Sequence, residues 1–403
     1  MVQRMNTVRK QPTVASRWSC GCLLALTLIF CPLDLLAQHP HQLNGLNTAI
    51  DKLVAKLGVG KTTPGVAVLI YQPKRLNLTK VYGLASMERD EPISSTTLFE
   101  LASVTKLFTA TAVLLLDDRG VLSLRDDIRR HLPELPKYQE GHPIHIVDLL
   151  QHSSGLPDYM TFINVPAKRG SFVVNDDYVS VFAEQKSKFL LEFQPGQKYS
   201  YNNTNFMLLA TIIERAAKMP FSKFVQDEIF RPLGMEHSFV YDNPESVPRD
   251  QAEFPTAIGY EWKKKQQQWS PAWGTPPARQ EKMLTVGDGG IWTNLEDMAK
   301  WDLAVRQGQL LRAQSWKLAL TPSRTRDART NNYGLGWSLY FQNPRQIYGY
   351  GHDGSWSGFK TSYYRYLTAD RTTIVLSNRG NFDTNEFWNQ LNKLIDEYLP
   401  VAP

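Results

Sequence analysis

Cysteine is almost missing from this chain. Cys20, Cys22 and Cys31 are its only three, and all fall within the first 37 residues. Residues 38–403 therefore hold no disulfide, no thiol nucleophile and no cysteine-ligated metal. Excess basic charge is nearly as scarce. The formal net charge is +6, but Arg4, Arg9, Lys10 and Arg17 against Asp34 confine +3 of it to residues 1–37, leaving about +3 for the rest. The one basic run beyond them, Lys263-Lys264-Lys265, is followed by three glutamines and reads as a solvated loop or hairpin tip. No basic stripe suits a nucleic acid. Long apolar runs are also lacking, apart from Cys20–Leu36. Basic residues precede that run and Ala37-Gln38 follows it, so residues 1–37 are expected to be a secretory signal peptide. The alternative is an uncleaved membrane anchor, although Pro32 and Asp34 interrupt the run. An exported chain without disulfides suits a bacterial periplasm or exterior.

Several motifs fail as well. The chain has no Gly-x-Ser-x-Gly elbow and no His-Glu-x-x-His, which argues against an α/β-hydrolase and a zinc peptidase. Its eight histidines are scattered; His142 and His145 flank Pro143-Ile144 without a metal-site pattern. Ala55–Thr62 loosely matches a phosphate-binding loop. A helical pattern precedes it and Pro64 and a strand follow, the reverse of the required context. Neither metal nor cofactor is expected.

What is present is a 403-residue chain with ample Trp, Tyr and Phe for a large core. Leu46, Ile50, Leu53, Val54 and Leu57 recur at helical spacing, predicting a helix over 46–57. Strands are expected at 66–71 and 78–83, then at 336–341, 346–350, 359–367 and 372–377. Further helices are expected at 206–217, 221–230 and 384–398. Residues 240–282 read as irregular. Strands at both ends with helices between them predict an α/β (α+β) fold with an antiparallel sheet and flanking terminal helices. The predicted division places 42–116 and 284–400 in one α/β domain and 117–283 in an inserted, mainly helical one.

Ser103-Val104-Thr105-Lys106 heads the apolar run Leu107–Leu116. Residues three apart share a helix face, so an amine can stand beside the serine hydroxyl and help remove its proton. Ser357-Gly358-Phe359-Lys360 repeats the spacing, so the tetrapeptide alone is weak. Two further segments follow in order: Tyr201-Asn202-Asn203 and His352-Asp353-Gly354. Ser-x-x-Lys, Tyr-x-Asn and [Lys/His]-x-Gly resemble the signature of serine β-lactamases and penicillin-binding proteins. The flanks Ile146–Pro157 and Gly287–Thr293 are also similar to that family. The likeness covers about residues 45–398 and is nearest to the class C-like branch, with its DD-peptidases, esterases and D-amino-acid amidases.

The resemblance implies a β-lactamase/transpeptidase-like fold and an acyl-enzyme. It makes Ser103 the nucleophile, Lys106 its proton partner and Tyr201 a proton shuttle. Asn203 is expected to face the lysine or a substrate amide. His352, standing where β-lactamases have lysine, is expected to donate to substrate or assist Tyr201. Gly354 is expected to make room for substrate along an edge strand, and the N–H of Ser355 to complete an oxyanion hole with that of Ser103. Tyr241-Asp242-Asn243 is a rival Tyr-x-Asn with poorer context. The expected substrates are small molecules or peptides carrying amide or ester bonds, D-amino-acid peptides or esters among them. A true β-lactamase and a non-catalytic binder of cell-wall peptides stay open. The loops 158–190 and 240–282, with Trp262, Trp269 and Trp273, are the expected seat of substrate choice.

Overall fold

A computed structural model describes residues 40–137, 142–162, 165–168, 172–185, 190–243, 255–272, 283–326, 331–343 and 346–400. The expected signal peptide and Trp273 lie outside these. Six antiparallel strands form the main sheet, in the order Ser338–Asn343, Gln346–Trp356, Phe359–Tyr366, Arg371–Ser377, Val66–Gln72 and Leu76–Tyr82. The two ends of the chain meet within it, where Val66–Tyr71 pairs with Thr372–Ser377.

Alternation along Val66–Gln72 builds two layers. Val66, Val68 and Ile70 face the terminal helices Pro40–Lys56 and Thr384–Tyr398, packing with Leu46, Ile50, Phe387 and Leu391. Ala67 and Leu69 face the other way, into a larger core shared with Leu107, Phe108, Trp301 and Tyr363. The helix Thr105–Asp118 is buried from Thr105 to Leu116. A helix apolar on every side belongs inside a protein, and this one fixes the Ser103 segment against the sheet.

The expected helices and strands are found with shifted ends. The 221–230 helix is α-helical at Phe221–Val225 and continues as a π-helical turn at Gln226–Phe230. Residues 240–282 are not wholly irregular: Tyr260–Lys263 pairs with Gln268–Pro271, Trp262 opposite Trp269, with Lys264 and Lys265 in the turn. The strand expected to end at Tyr350 runs on to Trp356, so His352-Asp353-Gly354 is strand. Its glycines resemble turn punctuation but serve close packing. A Cβ on Gly351 would lie 1.8 Å from the Tyr363 carbonyl oxygen, and one on Gly354 2.2 Å from that of Leu101.

Candidate active site

Ser103 lies in a 3-10 turn, Ala102–Val104, immediately ahead of the helix Thr105–Asp118. Its side chain caps neither element. Ala102 has φ of +48°, a conformation that costs a non-glycine residue on the order of 1–3 kcal/mol and persists only when its surroundings enforce it. Here the Leu101 N–H donates to the Ile291 carbonyl, and the Thr361 hydroxyl donates to the Leu101 carbonyl at 2.7 Å. The serine is thus displayed on a strained turn pinned between two strands.

Lys106 is fully buried. Its Nζ lies 3.0 Å from Ser103 Oγ, 3.0 Å from Asn203 Oδ1 and 2.9 Å from the Asp288 carbonyl oxygen. An ammonium satisfies all three. A neutral amine has two N–H groups and one lone pair. Asn203 Oδ1 and the Asp288 carbonyl can only accept, so they take the two hydrogens and turn the lone pair toward the Ser103 hydroxyl. The geometry therefore equips Lys106 to receive the serine proton.

Asn203 begins the helix Asn203–Ala217, which Asn202 caps by accepting from the Thr204 N–H at 2.8 Å. Asp158 orients the Asn203 amide. Its Oδ2 accepts from the Asn203 backbone N–H at 3.0 Å and from Nδ2 at 3.4 Å, turning Oδ1 to the lysine. Sequence reasoning missed Asp158, which stands just after the Gly155-Leu156-Pro157 segment. Asp158→Asn keeps an acceptor for the Met160 N–H but sets an NH2 group against two donors. It is expected to lower kcat about ten- to hundredfold with KM little changed, read by steady-state kinetics beside a melting curve.

Tyr201 shares the cavity with Ser103, but the direct contact with Ser103 and Lys106 that a proton shuttle between them requires is not made. Lys106 Nζ stands 5.0 Å from the Tyr201 ring centroid, and no hydrogen bond joins the phenol to Ser103 or Lys106 among the described residues. Asn203 and Asp288 have taken the places around the ammonium that the phenol needed. Tyr201 is 41% exposed and lies over the buried His152 ring, with centroids 4.4 Å apart. The rival Tyr241 is buried elsewhere, its N–H on the Gly290 carbonyl.

His352 does not fit its expected role. Nδ1 lies 2.6 Å from the Asp353 carbonyl oxygen, an acceptor, so this nitrogen carries the proton. Nε2 then accepts from the Tyr333 hydroxyl at 2.9 Å. Burial, helped by the charge of Lys106, pushes its pKa down to about 3. A neutral imidazole with both nitrogens engaged has no donor left for substrate or for Tyr201. Gly354 borders the larger cavity, and its missing side chain also admits the Leu101-Ala102 segment and Thr361. Ser355 borders both cavities.

His152 is likewise fully buried, and burial holds its pKa well below the usual value, again helped by Lys106. Its Nδ1 accepts from the Asn202 N–H at 3.2 Å. Both histidines fold neutral, so the stability they contribute is complete above about pH 6.5 and is lost as pH falls through that value, since the unfolded chain then binds the extra protons. Two such groups predict a loss of about 2.5 kcal/mol between pH 7 and pH 5.5. Buried Asp148, Asp288, Asp353 and Glu214, whose pKa values burial raises, oppose this trend at lower pH. Urea unfolding at the two pH values checks the prediction; His152→Gln should flatten the slope if the protein still folds.

Two cavities flank Ser103. One, of about 210 Å³, is bordered by Tyr159, Met160, Met283, Asp288 and Trp356. The other, of about 710 Å³, is bordered by Tyr201, Tyr333, His352, Lys360 and Phe382. Ser103, Asn203 and Ser355 border both. Trp262 and Trp269 border neither; they pack on each other, and Arg379 lies over Trp269.

Fold and site together set a serine hydroxyl against a buried lysine in a cleft beside an antiparallel sheet. The chain belongs to the Beta-lactamase family, whose profile matches residues 50–397. It is 33% identical over 307 residues to "Penicillin-binding protein 4*" of Bacillus subtilis (strain 168), covering 74% of this chain and 64% of that protein. It is 26% identical over 340 residues to a "D-aminopeptidase" of Gluconobacter oxydans (strain 621H), covering 83% of this chain and 59% of that protein. The chain thus spans about three fifths of these relatives' length. In structure it is similar to D-amino acid amidase from Ochrobactrum anthropi SV3, with a TM-score of 0.68, 24% identity and coverage of 88% and 99%. A penicillin-binding protein from Bacillus halodurans gives 0.69, 24%, 87% and 98%. These two likenesses bear on the fold alone.

Proposed function

We propose that this serine hydrolase works through an acyl-enzyme on amide or ester bonds, with D-amino-acid peptides or esters as substrates. The observation that carries the reading is the contact of Lys106 Nζ with Ser103 Oγ, its other two positions filled by acceptors. Lys106 takes the serine proton as Oγ attacks the carbonyl carbon. The backbone N–H groups of Ser103 and Ser355 receive the oxyanion. Tyr201, on the wall of the larger cavity, relays a proton to the departing amine or alcohol. Water then attacks the ester at Ser103 and frees the acid. Similarity to a protein named D-aminopeptidase supports the D-residue preference.

Intact mass spectrometry with D-alanyl esters, D-alanyl amides, L-counterparts and β-lactams tests this. A transient acyl adduct with the D-compounds, followed by acid release, is expected. An adduct that never hydrolyses would instead mark a binder, and rapid turnover of β-lactams alone a β-lactamase. The basic residues ahead of Cys20–Leu36 support export through a cleaved signal, which N-terminal sequencing of the exported protein tests.

A further inference from the structure

Hydrolysis of the Ser103 ester needs a base for the attacking water. Tyr201 borders the larger of the two cavities beside Ser103 and not the smaller. The smaller cavity, about 210 Å³, is large enough to hold water next to an acyl group. Asp288 borders it, together with Tyr159 and Thr285. The Asp288 carboxylate has no part in acylation.

This aspartate is held firmly at both its backbone and its side chain. The helix Thr105–Asp118 pins its turn. Thr109 Oγ1 donates to the Gly287 carbonyl at 2.7 Å, and Lys106 Nζ donates to the Asp288 carbonyl at 2.9 Å. The same Nζ lies 3.0 Å from Ser103 Oγ, so one amine joins the aspartate to the nucleophile. On the side chain, Oδ2 accepts at 2.9 Å from the Tyr159 hydroxyl, which also meets Thr285 Oγ1 at 2.8 Å. Oδ1 is buried and has no hydrogen-bond partner among the described residues. A carboxylate fixed through one oxygen keeps the other for receiving a proton. Burial raises the pKa of Asp288, against the opposing charge of Lys106. A base whose pKa rises toward the working pH takes up a proton more readily.

We propose that Asp288 is the general base of deacylation, so that the two half-reactions use different sides of Ser103. The leaving group departs through the larger cavity, and water enters from the smaller one. The proposal rests on the reading of Ser103 as nucleophile. The Asp288 carboxylate takes one proton as the water oxygen bonds to the acyl carbon. The bond from that carbon to Ser103 Oγ then breaks, and Oγ receives the proton from Asp288 by way of Lys106. The freed acid keeps the water oxygen and its second hydrogen. Asp288, Lys106 and Ser103 end as they began.

Rapid-quench intact mass spectrometry of the full chain with a D-alanyl ester separates the two rates. Asp288→Asn is expected to acylate within about threefold of the parent and to deacylate about 10²-fold more slowly, so that the adduct accumulates. Hydroxylamine, a nucleophile that needs no base at neutral pH, is expected to release that adduct as the hydroxamate. Acylation and deacylation slowed alike overturn the proposal, as does a deacylation defect found in Glu100→Gln and absent from Asp288→Asn. An adduct that resists hydroxylamine as it resists water also overturns it, because access and not a base has then been lost. If a melting curve shows Asp288→Asn unfolded, Tyr159→Phe decides. It removes a donor to Oδ2 and is expected to slow deacylation about threefold to tenfold with acylation kept, whereas equal effects on both overturn the proposal. An unmodified chain that forms no adduct at any time overturns the acyl-enzyme reading itself, and this proposal with it.

Discussion

Ser103→Ala is expected to lower kcat by about 10⁴-fold or more and to abolish the acyl adduct, with little change in folding. The residual rate would come from substrate binding and the oxyanion donors alone. Stability should hold because the pinned turn uses backbone groups of Leu101 and the side chain of Thr361, not the serine hydroxyl. Lys106 keeps two of its three acceptors in this variant. The measurements are burst kinetics, intact mass after a D-alanyl ester, and a melting curve. A variant that still forms the adduct, or keeps more than about a tenth of the activity, contradicts the assignment of the nucleophile.

Lys106→Met is expected to cost about 10³-fold in kcat, within the usual range for loss of a positioned base. Methionine is one atom shorter than lysine and removes the proton acceptor. Unlike the serine variant, it should also disturb the fold. Lys106 is fully buried and links three segments far apart in the chain. Its loss leaves Asn203 Oδ1 and the Asp288 carbonyl without their donor, at about 1–3 kcal/mol for each group left unpaired. The cost of burying an ammonium is recovered in part, so the net loss is expected to be smaller than that sum. Urea unfolding gives the stability, and single-turnover acylation gives the rate. A variant that acylates as fast as the parent removes Lys106 from the proton path.

The sheet and terminal helices were legible because their periodicities are strong. Val66–Tyr71 is a continuous apolar run bounded by Pro64-Gly65 and the Pro73 turn. Leu46 to Leu57 keeps a regular stripe. Ser103, Lys106 and Asn203 were legible because three motifs occur in order, and the fold brings them within hydrogen-bonding distance of one another. What the sequence could not show was how hydrogen bonds are shared out. His352 reads as a donor until Tyr333 and the Asp353 carbonyl are seen to occupy it. Gly354 reads as space for a ligand, and the close packing of Leu101 against it had no sign in the sequence. Asp158 and Tyr333 have no local signature, since their partners lie further along the chain. The hairpin Tyr260–Pro271 was hidden because Trp262 and Trp269 meet only once the chain has reversed.

The pairing of Val66–Tyr71 with Thr372–Ser377 has a consequence for synthesis. One edge of that strand has no partner until about 300 further residues have been made, roughly 15–60 seconds at ordinary translation rates. During that interval an apolar ribbon is open to wrong partners, so expression yield should depend on chaperone supply more than final stability would suggest. A ribosome that stops before Arg371 would leave a polypeptide that already contains Ser103 and Lys106 yet lacks the strand that closes the sheet.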